Sequence, residues 1–101
     1  MAYLTIARIA GDPDMLLAAY RRSSLTMTEV GRDHGQLVHV AAGAERGLLM
    51  INLWPSVAGS AGAAGDPRRL GVIAARGIDP GEIRRTHYEV ENYVVFEERG
   101  A

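Results

Sequence analysis

Residues 35–54 read GQLVHVAAGAERGLLMINLW, and whether they make a hairpin decides the fold. Two apolar runs, QLVHVAAG (36–43) and GLLMINLW (47–54), flank the short connection AERG. Runs of this length, bounded by glycine, predict strands, and so tight a connection predicts that they pair as a β-hairpin. Alternate strand residues point to opposite faces. Leu49, Ile51 and Leu53 therefore make a purely aliphatic face, and Leu48, Met50, Asn52 and Trp54 make the other. In the neighbouring strand Val38 and Val40 oppose Leu37 and His39.

Upstream, YLTIARI (3–9) predicts a strand ending at Gly11, and GDPDMLLAAY opens a helix across 13–34. Asp12 is its cap, Pro13 suits its first turn and Asp14 favours the positive dipole end. Leu16, Tyr20, Ser23, Met27, Val30 and His34 recur at helical spacing, and Gly35 is the stop. Downstream, GDPRRLGVIAARG (65–77) repeats that opening, with Asp66 as cap, Pro67 in the first turn and Gly77 as stop. DPGE (79–82) is a turn, and IRRTHYEVENYVVFEE (83–98) predicts a long strand with a break near Glu91-Asn92. The order β-α-β-β-α-β in 101 residues implies one α+β domain over 1–101, a ferredoxin-like antiparallel sheet with both helices on one face. PSVAGSAGAAG (55–65) occupies the first half of the second helix. Gly59, Gly62 and Gly65 each cost about 1 kcal/mol relative to Ala, so the expectation here is a frayed or 3₁₀-like segment loosely covering Asn52 and Trp54.

Strands apolar on both sides are normally buried on both sides, yet two helices cover only one face. The economical cover for the other is a second copy of the chain, a homodimer packed sheet on sheet; a heteromeric partner is the alternative. A chain this size buries roughly 65% of its unfolded surface, so the core is thin. With 11 basic and 12 acidic residues, the net charge of -1 attracts neither nucleic acid nor an anionic membrane. The basic pairs Arg21-Arg22, Arg68-Arg69 and Arg84-Arg85 have acidic neighbours and read as solvated faces. The chain has no cysteine, which removes disulfides, thiolate nucleophiles and Cys-type zinc sites. It has no signal-like N-terminus and no apolar run of membrane length, so a soluble cytoplasmic protein is expected.

The helix-facing side of the sheet mixes apolar and polar groups: Thr5, Met50, Asn52, Trp54, His39 and His87, with Tyr20 and Met27 facing it from the first helix. An apolar wall with a few convergent polar groups is the usual form of a small-molecule site. Three histidines without matching carboxylate spacing argue against a metal site. No Gly-rich phosphate motif follows a strand. His34 falls at a helix C-terminus, where the dipole favours a cation.

The stretch DHGQLVHVAAGAERGLLMINLWPS (33–56), a helix ending in His-Gly, a strand, a tight turn and an apolar strand ending in Trp-x-Ser, resembles the dimeric α+β barrel superfamily. Its members include antibiotic-biosynthesis monooxygenases and small actinobacterial proteins. The resemblance implies a homodimer and a cofactor-independent monooxygenase, cyclase or isomerase acting on a hydrophobic aromatic or polyketide-like substrate. A non-catalytic binding or structural dimer is the alternative. Trp54 matches the aromatic residue many members place beside the pocket. Haem-degrading members combine a strand-one Asn, this Trp and a second-helix His; here strand one offers Thr5 and the second helix no His. Many members also follow W-x-S with an acidic-aromatic helix, where this chain has VAGSAGAAGDP. On this reading Asn52 holds an oxygen, His39 or His87 moves the proton, and Thr5, Tyr20, Met27, Met50 and Trp54 bind the substrate, with no cofactor or metal.

Overall fold

The computed structural model of the protein describes residues 1–97. The elements are β1 (Tyr3–Ala10), α1 (Pro13–Asp33), β2 (Val38–Ala44), β3 (Gly47–Trp54), α2 (Val57–Ala64), α3 (Pro67–Ala75) and β4 (Ile83–Glu89), the last entered through a 3₁₀ turn at Pro80–Glu82. The strands form one antiparallel sheet in the order β2-β3-β1-β4, with the hairpin on one side of β1 and β4 on the other. The helices lie on one face. This is the ferredoxin-like α+β fold, with the second helix divided in two.

Both GDP sequences cap helices as their residues dictate. Asp12 Oδ1 accepts from the Asp14 amide at 2.9 Å and Asp66 Oδ1 from the Arg68 amide at 2.9 Å, with proline at the start of each helix. α1 ends where Gly35 takes φ +77°, a conformation costly for any residue with a Cβ.

The glycine-rich segment departs from expectation. It is not frayed: α2 is a regular helix capped by Ser56, followed by a break at Gly65–Asp66 before α3. Intrinsic propensity is overruled by packing. A Cβ on Gly59 would lie 2.7 Å from the His34 carbonyl oxygen, and one on Gly62 would lie 2.6 Å from His34 Nδ1. The face without side chains is therefore the face that seats α2 against the end of α1. Ala63, buried on the same helix, joins Val30, Trp54 and Tyr3 in a hydrophobic cluster.

The last strand is shorter than its composition suggests. The β1–β4 ladder ends at Tyr3 opposite Glu89, with one further bond from the Val90 amide to the Ala2 carbonyl. Beyond it β1 offers no backbone to pair with, so residues 91–97 are not a strand, and Tyr93, Val94, Val95 and Phe96 are exposed. Residue 98, assigned to this strand from sequence, lies outside the described residues. On the face away from the helices, Leu4, Ile6, Val40, Leu49, Ile51 and Tyr88 are half-buried or exposed in the single chain. No helix among the described residues is long and apolar enough to cross a membrane.

Two glycine substitutions separate packing from propensity. Gly59→Ala drives a methyl group into a backbone carbonyl and is expected to destabilise the fold by about 1–3 kcal/mol. Gly71→Ala, inside α3 with nothing within 4 Å of the new Cβ, is expected to stabilise it by about 0.5–1 kcal/mol. Urea denaturation midpoints of the two variants check both signs.

Candidate functional site

Strand register assembles the site. His39 pairs with Asn52, Asn52 with Thr5, and Thr5 with His87. The four residues therefore form one row across the sheet, all on the face that carries the helices. Met50, Ala7 and Arg85 form part of the next row, and Trp54 and Tyr3 part of the row on the other side. With strands about 4.8 Å apart, His39 and His87 stand at opposite ends of their row, about 14 Å apart.

At the β2 end, a hydrogen-bonded chain has its direction set by one carbonyl. Gln36 Nε2 donates to the Val38 carbonyl at 3.2 Å and to Asn52 Oδ1 at 2.6 Å. The same Asn52 oxygen lies 2.6 Å from His39 Nδ1. A carbonyl oxygen only accepts, so Nδ1 carries the hydrogen and Nε2 of the neutral imidazole keeps its lone pair. The Tyr20 hydroxyl, 2.7 Å from Nε2, donates to it, and the two rings stack at 5.8 Å. Gln36, which sequence gave no reason to single out, anchors this chain. Its backbone amide bonds the Gly31 carbonyl, and a Cβ on Gly31 would collide with Gln36 Oε1.

These side chains border a cavity of about 440 Å³ between helices and sheet. Thr5, Tyr20, Met27, His39, Met50, Asn52, Trp54 and His87 all line it, so the structure brings the sequence-derived set to one place. His87 stands apart within it, stacked on Tyr3 at 5.6 Å and outside the Tyr20–His39–Asn52 chain. Trp54 serves core and cavity together: it is 5% exposed, and its buried indole Nε1 has no hydrogen-bond partner among the described residues. Among the described residues, no group of three His, Asp or Glu side chains is placed to hold a metal.

The expectation of solvated faces holds for Arg21 and Arg22, which are exposed, and is corrected at Arg69, which is half-buried. Arg68 is external, bound to Asp66 and Asp33, but its neighbour Arg69 lines the cavity and donates to the Ala64 carbonyl. Arg84 is on the opposite face from Arg85, which also lines the cavity with Arg32 and Arg76. Burial, and secondarily the charge of Arg85, pushes the Arg69 guanidinium down to about 10. Burial lowers Arg76 as well; its Nη2 donates to Ser23 Oγ while its buried Nε has no partner among the described residues. For Arg85 the alternation of a strand was the available signal, because consecutive residues point to opposite faces of the sheet.

His34 lies beside the cavity, its Nε2 3.0 Å from Asp66 Oδ2. It ties the end of α1 to the start of α3.

No protein-family sequence model matches the chain, and no curated protein matches it. Solved structures do. Rv0793 of Mycobacterium tuberculosis superposes with a TM-score of 0.73 at 16% identity, covering 94% of this chain and 100% of the other. A Streptomyces coelicolor monooxygenase in complex with nanaomycin D gives 0.73 at 13%, covering 95% and 93%. A cofactor-independent oxygenase from Streptomyces nogalater gives 0.65 at 14%, covering 92% and 95%. A dimeric ferredoxin-like protein from an uncultured marine organism also matches, at 0.61. The chain shares the ferredoxin-like α+β fold of these structures.

The Asp66 junction predicts an acid-sensitive fold. Hydrogen bonds from Arg68, then from His34, hold the Asp66 carboxyl well below the usual carboxylate range. Its stabilising effect is complete above the unfolded-state pKa of about 4 and is lost as pH falls from there through the depressed folded value. Asp66→Asn should lower the urea midpoint at neutral pH and flatten its decline below about pH 4, as denaturation across a pH series measures.

Proposed function

We propose that the protein is a homodimer whose helix–sheet cavity binds a hydrophobic aromatic molecule and oxidises it with molecular oxygen, without a cofactor. The observation that carries this reading is the Tyr20–His39–Asn52–Gln36 chain at the cavity. It presents an imidazole, its Nδ1 hydrogen held by Asn52 Oδ1, in a largely apolar chamber. The solved neighbours, a monooxygenase and a cofactor-independent oxygenase among them, support the same chemistry.

His39 Nε2 is the base. A substrate O–H or acidic C–H that replaces the Tyr20 hydroxyl at Nε2 gives up its proton there, and Asn52 Oδ1 steadies the imidazolium through Nδ1–H. The Asn52 Nδ2 group and the Trp54 indole N–H are donors for the oxyanion that forms. Such an electron-rich anion reacts with oxygen directly: a ring CH₂ becomes C=O, one oxygen atom is retained and the other leaves as water. Thr5, Met27 and Met50 complete the walls. His87, about 14 Å along the row, belongs to the far end of the ligand and not to the same proton transfer.

The sheet face bearing Leu49, Ile51 and Leu53 is the dimer interface on this reading, supported by the dimeric neighbour. A second reading, binding without turnover, is favoured by the Tyr20–His39 bond, which leaves the imidazole lone pair occupied.

Anthrone separates the two. Oxygen uptake with quinone formation is expected from the native protein. His39→Ala should lower the rate by roughly 10²–10⁴-fold, while Tyr20→Phe, which uncovers Nε2, should retain it. Anthrone binding without oxygen uptake would establish the second reading instead. Independently, Ile51→Arg should convert the dimer to a folded monomer by light scattering; a native monomer at micromolar concentration would overturn the interface assignment.

A further inference from the structure

Four arginines line the cavity and no aspartate or glutamate of the described residues does. Arg32 and Arg85 are exposed, while Arg69 and Arg76 are half-buried, where a guanidinium is ordinarily matched by a carboxylate because an unpaired buried charge is costly. Here the nearby acids are engaged elsewhere: Asp33 and Asp66 bind Arg68, and Asp66 also binds His34. Among the described residues, Arg69 finds a backbone carbonyl, and Arg76 a serine hydroxyl and the Tyr20 ring face, 5.9 Å away. Arg85 enters from β4 on the same side of the sheet, in register with Ala7. Like charges gathered along a chamber with apolar walls, one of them with a buried N–H that no described residue accepts from, favour an anion there.

We infer that the ligand of this cavity is a hydrophobic carboxylic acid, its carboxylate held between Arg69 and Arg85 and its apolar body extending over Met50 toward His39 and Asn52. A planar carboxylate matches the guanidinium fork. The start of α3 does not compete for it, because the Asp66 carboxylate already caps that end. Arg85 and His39 sit on opposite edge strands, about 14 Å apart across the sheet. Inward-reaching side chains shorten this span to that of a fused-ring skeleton, so one molecule can meet both. The acid group would thus fix which end of the skeleton reaches the imidazole. Loss of repulsion between Arg69 and Arg85 on neutralisation adds to its binding.

This inference rests on the cavity being a ligand site, and the test keeps the two apart. Binding of 2-naphthoate and of the neutral 2-naphthamide is measured by calorimetry on the native protein at neutral pH. The acid is expected to bind roughly tenfold more tightly or better, with the preference shrinking as salt is raised. Arg69→Gln and Arg85→Gln should each remove most of that preference while amide affinity is kept. Arg21→Gln, exposed on α1 and outside the cavity, should keep it. Should Arg69→Gln fail to fold by circular dichroism, the exposed Arg85 carries the test alone. Equal affinity for acid and amide, or an acid preference that survives in folded Arg85→Gln, overturns the inference and leaves the cavity reading standing. Binding of neither probe overturns both.

Discussion

The register between the two central strands is the constraint on which everything else depends. Thr5 lies opposite Asn52, and the pairing runs unbroken from Tyr3–Trp54 to Ala10–Gly47. Because strand side chains alternate with period two, a slip of one residue would exchange the faces. Asn52 would turn away from the helices, and Ile51 would replace it in the cavity. The buried residues Ala7, Ile9, Leu48 and Trp54 all lie on the side this register selects, so core packing enforces the alignment that builds the site. The hairpin transmits the register to His39, and β4 transmits it to Arg85 and His87.

The polar chain at the cavity shows how much a single backbone group can fix. The Val38 carbonyl orients the Gln36 amide, which orients Asn52, which assigns the His39 tautomer, which assigns Tyr20 as donor. Each step follows from the donor and acceptor capacities of the groups concerned. Gln36 is available for this because α1 ends at Gly35 and the chain folds back onto Gly31. A helix stop that looks purely architectural therefore contributes to the chemistry of the site.

The second helix shows where local reasoning failed. Its glycines argue for a weak element, and in isolation an eight-residue helix with two of them is weak. In the fold those same positions let α2 approach His34 and place Ala63 against Trp54 and Val30. His34 turns its other side to Asp66, so one imidazole is both the surface on which α2 rests and a tie to the start of α3. The arginines were missed for a related reason. Pairs of basic residues suggest solvated surface, but neighbours on a strand take opposite faces of the sheet, and of Arg84 and Arg85, both exposed, the second is on the cavity side.

The sequence by itself determined the local elements and their order: two Asp-Pro helix starts, glycine stops, a hairpin around AERG and an alternation that sorted the strand residues onto two faces. These depend on capping, backbone freedom and side-chain period, all of which act over a few residues. That Thr5, Asn52, Trp54 and His39 share one side follows from this alternation together with the register that pairs the strands. Only the tertiary structure decided that His39 belongs to a hydrogen-bonded chain and His87 does not, that α2 is firm, that β4 stops at Glu89, and that Arg69 and Arg85 share a chamber lined by no acid of the described residues. Each of those outcomes turns on the distance between residues far apart in the chain, which packing sets and local propensity does not encode.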